Sequence, residues 1–539
     1  MKGKKLLITC GLLTGLLALS GCSFIFDIID NVIDDGDRSN NNSDADFDVN
    51  KVDVDGKTII QQTYKDYSKA NIYNVDYCPS SGNVKFLIIP VWFSDSSSFI
   101  NYSKKETVRD EIQKAYLGTN KETGWRSVKT YYEELSGGAL TITGTVTKWF
   151  DSDYSYKQAG DNRYFDTGEL VKQAVNWYFT NNPSDSRSNY DSDNNGYLDA
   201  VMLIYGAPDY SALKDNNLSN LWAYAYWIQE ANETSKPIPN VYFWASYDFM
   251  FSEGSEALLL TGSQYGSGDT DHCLVDTHTY IHEMGHVFGL DDYYDYGENK
   301  YVPAGGFSMQ DWNIGSHDPF SVMALGWANP YVVTENSEVE IGTFQKTHDL
   351  VLVTNKWNNI GSPFDEYFLL ELYSPTGLNE MDCKYSYDSL DRGPNEVGIR
   401  LWHVDARLAI CVGVVNDNPK FNSSKLTNNT KGSFDYGVYQ AFTNTFDDED
   451  YGSVLGSSYY NHNLLQLIRR NTKEKIKTTS TISSSDLFVD GTYALSQYKS
   501  QFVNSSPFTM NNGEFASWNI KIEISGSGHD ATAKISIVK

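Results

Sequence analysis

Apolar and polar positions alternate with two different rhythms along this chain, and the change comes near residue 340. In the first part, the run VKFLIIPVWF from Val84 to Phe93 is almost continuously apolar, which predicts a central strand buried on both faces. A helix is expected around Lys105 to Tyr116, and another over Ser127 to Leu135, where Gly137-Gly138 follows. Ala139 to Phe150 alternates with Thr and reads as a strand or hairpin. Leu170, Val171, Ala174, Val175 and Tyr178 recur at helical spacing between Asp166 and Phe179, and Asn181-Asn182-Pro183 closes that element. Ala200 to Tyr205 reads as a second buried strand, and Leu274 to Leu290 as a helix ended by Gly289. Beyond 340, strands are expected at Asp349–Val353, Glu366–Tyr373, Gly398–Val404, Trp518–Ile524 and Ala531–Val538, separated by Asn, Ser and Gly loops. That second rhythm predicts a β-sandwich.

Neither rhythm holds at the N-terminus. The sequence MKGKK followed by LLITCGLLTGLLALSG is a basic start and a short apolar stretch, an export signal spanning residues 1–21. Leu19-Ser20-Gly21-Cys22 resembles a bacterial lipobox, so Cys22 is the expected lipidation site. Residues 22–55, rich in Asp, Asn and Ser, bury too little to fold alone and read as a disordered tether. The predicted product faces outward from a bacterial cell membrane, held by the lipid on Cys22.

With 539 residues, the chain exceeds one ordinary hydrophobic core, so two or three domains are expected. Its 42 Lys and Arg against 70 Asp and Glu give a net charge of -28, which repels phosphate backbones and excludes nucleic acid as a partner. Apart from Cys10 and Cys22, the cysteines are Cys78, Cys273, Cys383 and Cys411. Four in so long a chain make no disulfide framework, and the absence of a CxxC pair disfavours thiolate zinc. Cys78 reads as an ordinary or disulfide-bonded residue ahead of a thiol capping a metal.

The chemistry concentrates in HEMGHVFGLDD. His282 and His286 stand one helical turn apart on one face, with Cβ atoms about 5–6 Å apart, so both imidazoles can meet one Zn²⁺. Glu283 projects beside them and is placed to take a proton from water that zinc activates. Gly289 turns the chain, and Asp292 stands where metzincin peptidases carry a third His, so Asp292 is the expected third ligand by spacing. Asp291, Glu366 and Glu371 remain competitors for that place. His278 lies about 12 Å along the axis from His286, too far to share the ion, and reads as a packed or supporting residue.

The run HEMGHVFGLDDYYD resembles the M6 peptidases, the immune inhibitor A family of secreted bacterial zinc metalloendopeptidases. Phe86 to Asp95, SVKTYYEELSGGALTI at Ser127 to Ile142, and Gly305 to Asp311 before Ala324-Leu325-Gly326-Trp327 are similar to further stretches of that family. Glu366 to Glu371 and GIRLWHVD at Gly398 to Asp405 are similar to its β-strands, so the likeness covers residues 84 to 539 in patches. The resemblance implies an α/β zincin-like (metzincin-like) catalytic domain over residues 56–340, with Met309 as an apolar floor, then an all-β sandwich over 341–539. Pro208 to Phe249 departs most from the family pattern, and Tyr293 and Tyr294 are only neighbouring candidates for stabilising an oxyanion.

Asp191-Ser192-Asp193-Asn194-Asn195-Gly196-Tyr197-Leu198-Asp199 matches the first part of an EF-hand loop, although its twelfth position is Met202. The pattern predicts calcium held by Asp191, Asp193, Asn195 and Asp199 side chains and the Tyr197 carbonyl. The expected activity is therefore hydrolysis of protein or peptide substrates with zinc and calcium as cofactors. A surface adhesin or glycan-binding lipoprotein on the same scaffold is the alternative, but binding alone has no use for Glu283. A transporter's solute-binding lipoprotein would need two similar α/β lobes, which the strand-rich second half does not offer.

Overall fold

The computed structural model describes residues 52–53, 56–71, 75–251, 274–294, 302–387, 390–415, 418–440, 463–472, 481–501, 510–514 and 517–539. The export signal, Cys22 and all of the tether except Val52–Asp53 lie outside the described residues.

The apolar run read as a buried strand forms Gly82–Trp92, and it lies inside a sheet ordered Leu140–Val146, Gly82–Trp92, Val201–Tyr205, Val241–Ser246, Tyr224–Trp227. The first four strands pair in parallel, and only the edge strand Tyr224–Trp227 is antiparallel. Parallel neighbours need helical crossovers, so Leu140–Val146 is a strand returning beside Gly82–Trp92 and not one arm of a hairpin. Alternate residues serve two cores. Val84, Phe86, Ile88, Met202, Ile204 and Phe243 pack with the helices Lys105–Leu117, Val128–Leu135 and His278–Phe288. Leu87, Ile89, Val91, Leu203 and Trp244 face Leu170, Val171, Ala174 and Val175 of the Thr167–Asn181 helix.

Two five-stranded sheets follow. The outer sheet joins Val52–Asp53, Ser337–Gly342, Thr532–Val538, Asn519–Ser525 and Gly491–Ala494. The second joins Tyr331–Val333, Val351–Val353, Glu366–Tyr373, Gly398–Asp405 and Leu465–Ile468. Phe368, Leu370, Leu372, Ile399 and Leu401 share a core with Val339, Ile341, Ile520, Ile522, Ile535 and Ile537 of the outer sheet. The other face of the same strands, Tyr367, Leu369, Tyr373, Trp402 and Val404, belongs to the core that holds the His278–Phe288 helix. Every residue of Glu366–Tyr373 and Gly398–Asp405 is buried as a result, and this sheet is a middle layer common to both halves. Strands of both sheets begin before residue 341, at Val52, Tyr331 and Ser337.

One ion pair sits inside that middle layer. Arg400 Nε lies 2.7 Å from Glu371 Oε1, with both side chains 1% exposed, and Arg400 Nη1 donates to the Phe307 carbonyl at 3.2 Å. Residues ahead of Gly82–Trp92 belong to the fold as well, since Thr58 donates to the Pro330 carbonyl and Gln61 to that of Gly361, each at 2.8 Å. Among the described residues, no helix is long and apolar enough to cross a membrane.

Candidate metal centre

The helix carrying HEMGH runs from His278 to Phe288, four residues shorter at its start than the sequence spacing predicts. The reason is local: the amides of Leu274 and Val275 both donate to the Thr123 carbonyl, and the Asp276 carboxylate accepts the His278 amide at 3.0 Å. Those donors are thereby withdrawn from a helical turn. At the other end, Gly289 adopts φ 106° and donates to the His286 carbonyl, while Leu290 donates to that of Gly285. This left-handed residue ends the helix and turns the chain back. Space also demands glycine: a Cβ on Gly289 would stand 2.7 Å from Tyr77 Cδ2 and 2.9 Å from Tyr64 Cβ. The Cys78 amide donates to the Val287 carbonyl at 2.9 Å, so the segment carrying Tyr64 and Tyr77 lies directly on this helix end.

The turn brings Asp292 to the two histidines. Its Oδ1 lies 2.9 Å from His282 Nε2 and 3.2 Å from His286 Nε2, and the two Nε2 atoms are 3.2 Å apart. Ligands at 2.0–2.1 Å around a tetrahedral ion have edges of about 3.3–3.4 Å, so three donor atoms at these separations fit one Zn²⁺. Both rings are oriented for it. His282 Nδ1 donates to the Met309 carbonyl and His286 Nδ1 to that of Leu290, each at 2.7 Å, which leaves Nε2 as the ligating nitrogen. Among the described residues, His282, His286 and Asp292 form one of two groups able to hold a metal. Two of the competitors lie elsewhere, Glu371 facing Arg400 and Glu366 Oε1 accepting from His403 at 2.9 Å, and Asp291 is not in the group that the two histidines form with Asp292. Cys78 is buried with its thiol on the Pro79 carbonyl, outside the histidine group.

Within the group, burial by itself lowers His286, but the Asp292 carboxylate overrides it and pushes that histidine up to about 10. Burial in turn raises Asp292, and the charges of His286 and His282 reverse this and hold it well below the usual carboxylate range. Glu283 is 6% exposed, with Oε2 lacking any hydrogen-bond partner. Burial pushes its carboxyl up, while His286 and His282 pull the other way. The Ala225 amide on the edge strand Tyr224–Trp227 faces it.

Support beneath the helix comes from Met309, which the family resemblance singled out, and from Gln310, His317 and Tyr131, which sequence reasoning missed. Met309 is fully buried under His282. Beside it, Gln310 Oε1 accepts from His317 Nε2 at 3.0 Å, and His317 Nδ1 lies 2.9 Å from the Tyr131 hydroxyl. Burial keeps His317 far below its ordinary range, so it is the neutral link of this chain. A Cβ at Gly285 would stand 2.1 Å from Gln310 Oε1, and a glycine in mid-helix is the one sign of this contact in the sequence.

His278 is the supporting residue that the helical spacing suggested. It has 0% exposure, stacks on Trp125 at 4.3 Å, and lies between Asp276 (2.8 Å from Nδ1) and Asp382 (3.2 Å from Nε2). Burial would lower its affinity for protons, but Asp382 and Asp276 push it up to about 10. An unfolded histidine titrates near roughly 6.5, so this cation stabilises the fold fully below that pH and its contribution disappears as pH rises through about 10. Chemical denaturation should show the parent losing more stability than His278→Gln between those limits. Parallel curves for the two proteins would refute it.

The second group comprises Asp191, Asp193 and Asp199. Gly196 takes φ 89°, and its amide and that of Asn195 donate to the Asp191 carboxylate at 3.0 and 2.9 Å. Asp199 accepts the Ser192 amide at 3.0 Å, yet burial still raises it to about 7. Asn195 turns Nδ2 to Asp76 and Asp193 and accepts the Tyr197 amide on Oδ1. Unforeseen from the sequence, Lys65 Nζ lies 2.8 Å from Asp76 and 3.2 Å from Asp193. Oxygen donors alone make up the acidic set, which suits calcium, and Lys65 already neutralises part of its charge.

No protein-family model matches this chain, and no curated protein matches it.

Proposed function

We propose that this chain is an extracytoplasmic zinc-dependent endopeptidase, held outward on a bacterial membrane through Cys22, in keeping with its resemblance to the M6 peptidases. The observation that carries this reading is the meeting of His282 Nε2, His286 Nε2 and Asp292 Oδ1 within 3.2 Å of one another, with Glu283 buried alongside. Zinc in that position supplies a Lewis acid that lowers the pKa of water and polarises the peptide carbonyl. The remaining work falls to this chain. Glu283 takes a proton from the attacking water and returns it to the departing amine, and a carboxyl raised by burial suits both halves of that transfer. The Met309 and Leu290 carbonyls hold the two imidazoles in the ligating tautomer.

Purified protein should contain one zinc per chain and hydrolyse an unstructured protein substrate, with activity lost on chelation and restored by zinc. Zinc-free parent protein, or hydrolysis indifferent to chelation, would overturn the reading.

Calcium belongs to the proposal as a brace on the Asp191–Asp199 loop. At 100 times its dissociation constant, calcium contributes about 2.7 kcal/mol, which for a chain of this length corresponds to a rise of about 2–3 °C in the melting temperature of zinc-loaded protein. Asp193→Ala should lose that response, and a parent whose melting point ignores calcium would count against the site.

A further inference from the structure

No step of the proposed reaction uses His317, yet it is wholly buried beneath the zinc helix and each of its three nitrogens has a hydrogen-bond partner. It stands on a loop that closes on itself. The short helix Met309–Trp312 is followed by Asn313 and Gly315 in the left-handed region, at φ 58° and 73°, and the chain returns so that the Met309 amide donates to the Ser316 carbonyl at 3.2 Å. This loop offers two consecutive carbonyls to the metal group. That of Met309 accepts from His282 Nδ1 at 2.7 Å, and that of Gln310 accepts, also at 2.7 Å, from the amide of Tyr293, the residue directly after Asp292. One dipeptide therefore holds a ligand from the helix and a ligand from beyond the Gly289 turn, and a shift of the dipeptide moves both.

The Gln310 side chain fixes that dipeptide. It is buried against Gly285, between the two histidines in sequence, and its Nε2 has no hydrogen-bond partner. The bond from His317 Nε2 to Gln310 Oε1, at 3.0 Å, is thus the one that orients the amide. The opposite side of the ring makes Nε2 the donor. The Tyr131 hydroxyl oxygen accepts the His317 amide at 3.1 Å, and its proton turns to Nδ1 at 2.9 Å in preference to the Gly315 carbonyl at 3.5 Å. Burial keeps the ring neutral, so its single proton lies on Nε2. The Tyr132 hydroxyl, 3.5 Å from Nε2, donates to the Ile281 carbonyl of the zinc helix at 2.6 Å. We propose that His317, acting through Gln310, is a positioning residue that sets the places of His282 and Asp292 and so how tightly the site holds zinc, an inference that rests on the zinc reading above. Partners outside the ligand set act in this way by fixing where the ligating atoms stand before the metal arrives.

The test titrates the full, metal-free chain with zinc in competition with a chromophoric chelator. The amide of Gln reaches the place of Nε2 and that of Asn the place of Nδ1, so His317→Gln can still donate to Gln310 and His317→Asn cannot. His317→Asn should bind zinc about 10-fold more weakly than the parent or worse, and His317→Gln should stay within about threefold of it. Should His317→Asn fold poorly, Gln310→Met decides: it keeps the length of the side chain, removes the acceptor and should show the same loss. If His317 serves packing alone, the variants melt earlier without metal but bind zinc like the parent, and that result overturns the proposal. Equal weakening in His317→Asn and His317→Gln overturns it as well. A parent that takes up no zinc fails the metal reading itself, whereas a parent that binds zinc no better than His317→Asn or Gln310→Met fails only the positioning role.

Discussion

Glu283→Gln should slow peptide hydrolysis by about 10²- to 10⁴-fold while zinc content and melting temperature stay at the parent's values. Each factor of ten corresponds to about 1.4 kcal/mol of transition-state stabilisation, so the expected loss is about 3–5 kcal/mol. Gln keeps the shape of the side chain and its packing. It removes only the capacity to accept and return a proton. Because Oε2 of Glu283 has no hydrogen-bond partner, the substitution breaks no bond at that atom, and a loss of folding would be unexpected. Neither His282 nor His286 leans on Glu283 for orientation, since their Nδ1 atoms donate to the Met309 and Leu290 carbonyls. Zinc should therefore remain. A variant that keeps more than a tenth of parental kcat would remove Glu283 from the reaction and return the site to a binding role.

The largest loss of stability is expected at Arg400. Arg400→Ala leaves Glu371 in the middle sheet without its cation, with Trp402 Nε1 still donating to it at 3.2 Å, and strips a donor from the Phe307 carbonyl. Removing one member of a buried pair costs about 3–5 kcal/mol, far more than an exposed pair is worth. Arg400→Met with Glu371→Leu should recover most of that loss, because no buried charge is then left alone. Denaturant unfolding of the three proteins checks both statements, and a single variant within 1 kcal/mol of the parent, set against the cost of a broken buried pair, would refute them.

Much of the site is local in sequence, which is why it was legible there. His282, Glu283, His286, Gly289 and Asp292 fall within eleven residues, and helix geometry followed by one left-handed turn is enough to gather them. The supporting residues come from far away. Asp382 meets His278 across 104 positions and Tyr131 meets His317 across 186, and no spacing rule connects such pairs. Strand reading succeeded at Glu366–Tyr373 but hid its meaning. A strand buried on both faces shows no alternation, so the sequence carries no sign that its Tyr367 and Leu369 side serves one half and its Phe368 and Leu370 side the other. Lys65 and Asp76 beside the acidic loop were likewise invisible, since neither lies in the DxDxNG pattern.

The crowding around Gly289 has a consequence for where this chain tolerates a cut. Secreted peptidases are often released from latency by cutting away everything ahead of the catalytic body. In this chain, Tyr64 and Tyr77 cover the end of the HEMGH helix, and the Cys78 amide holds the Val287 carbonyl. A cut just before Val84 would uncover the turn that carries Asp292. Trimming at that point would loosen the proposed zinc site.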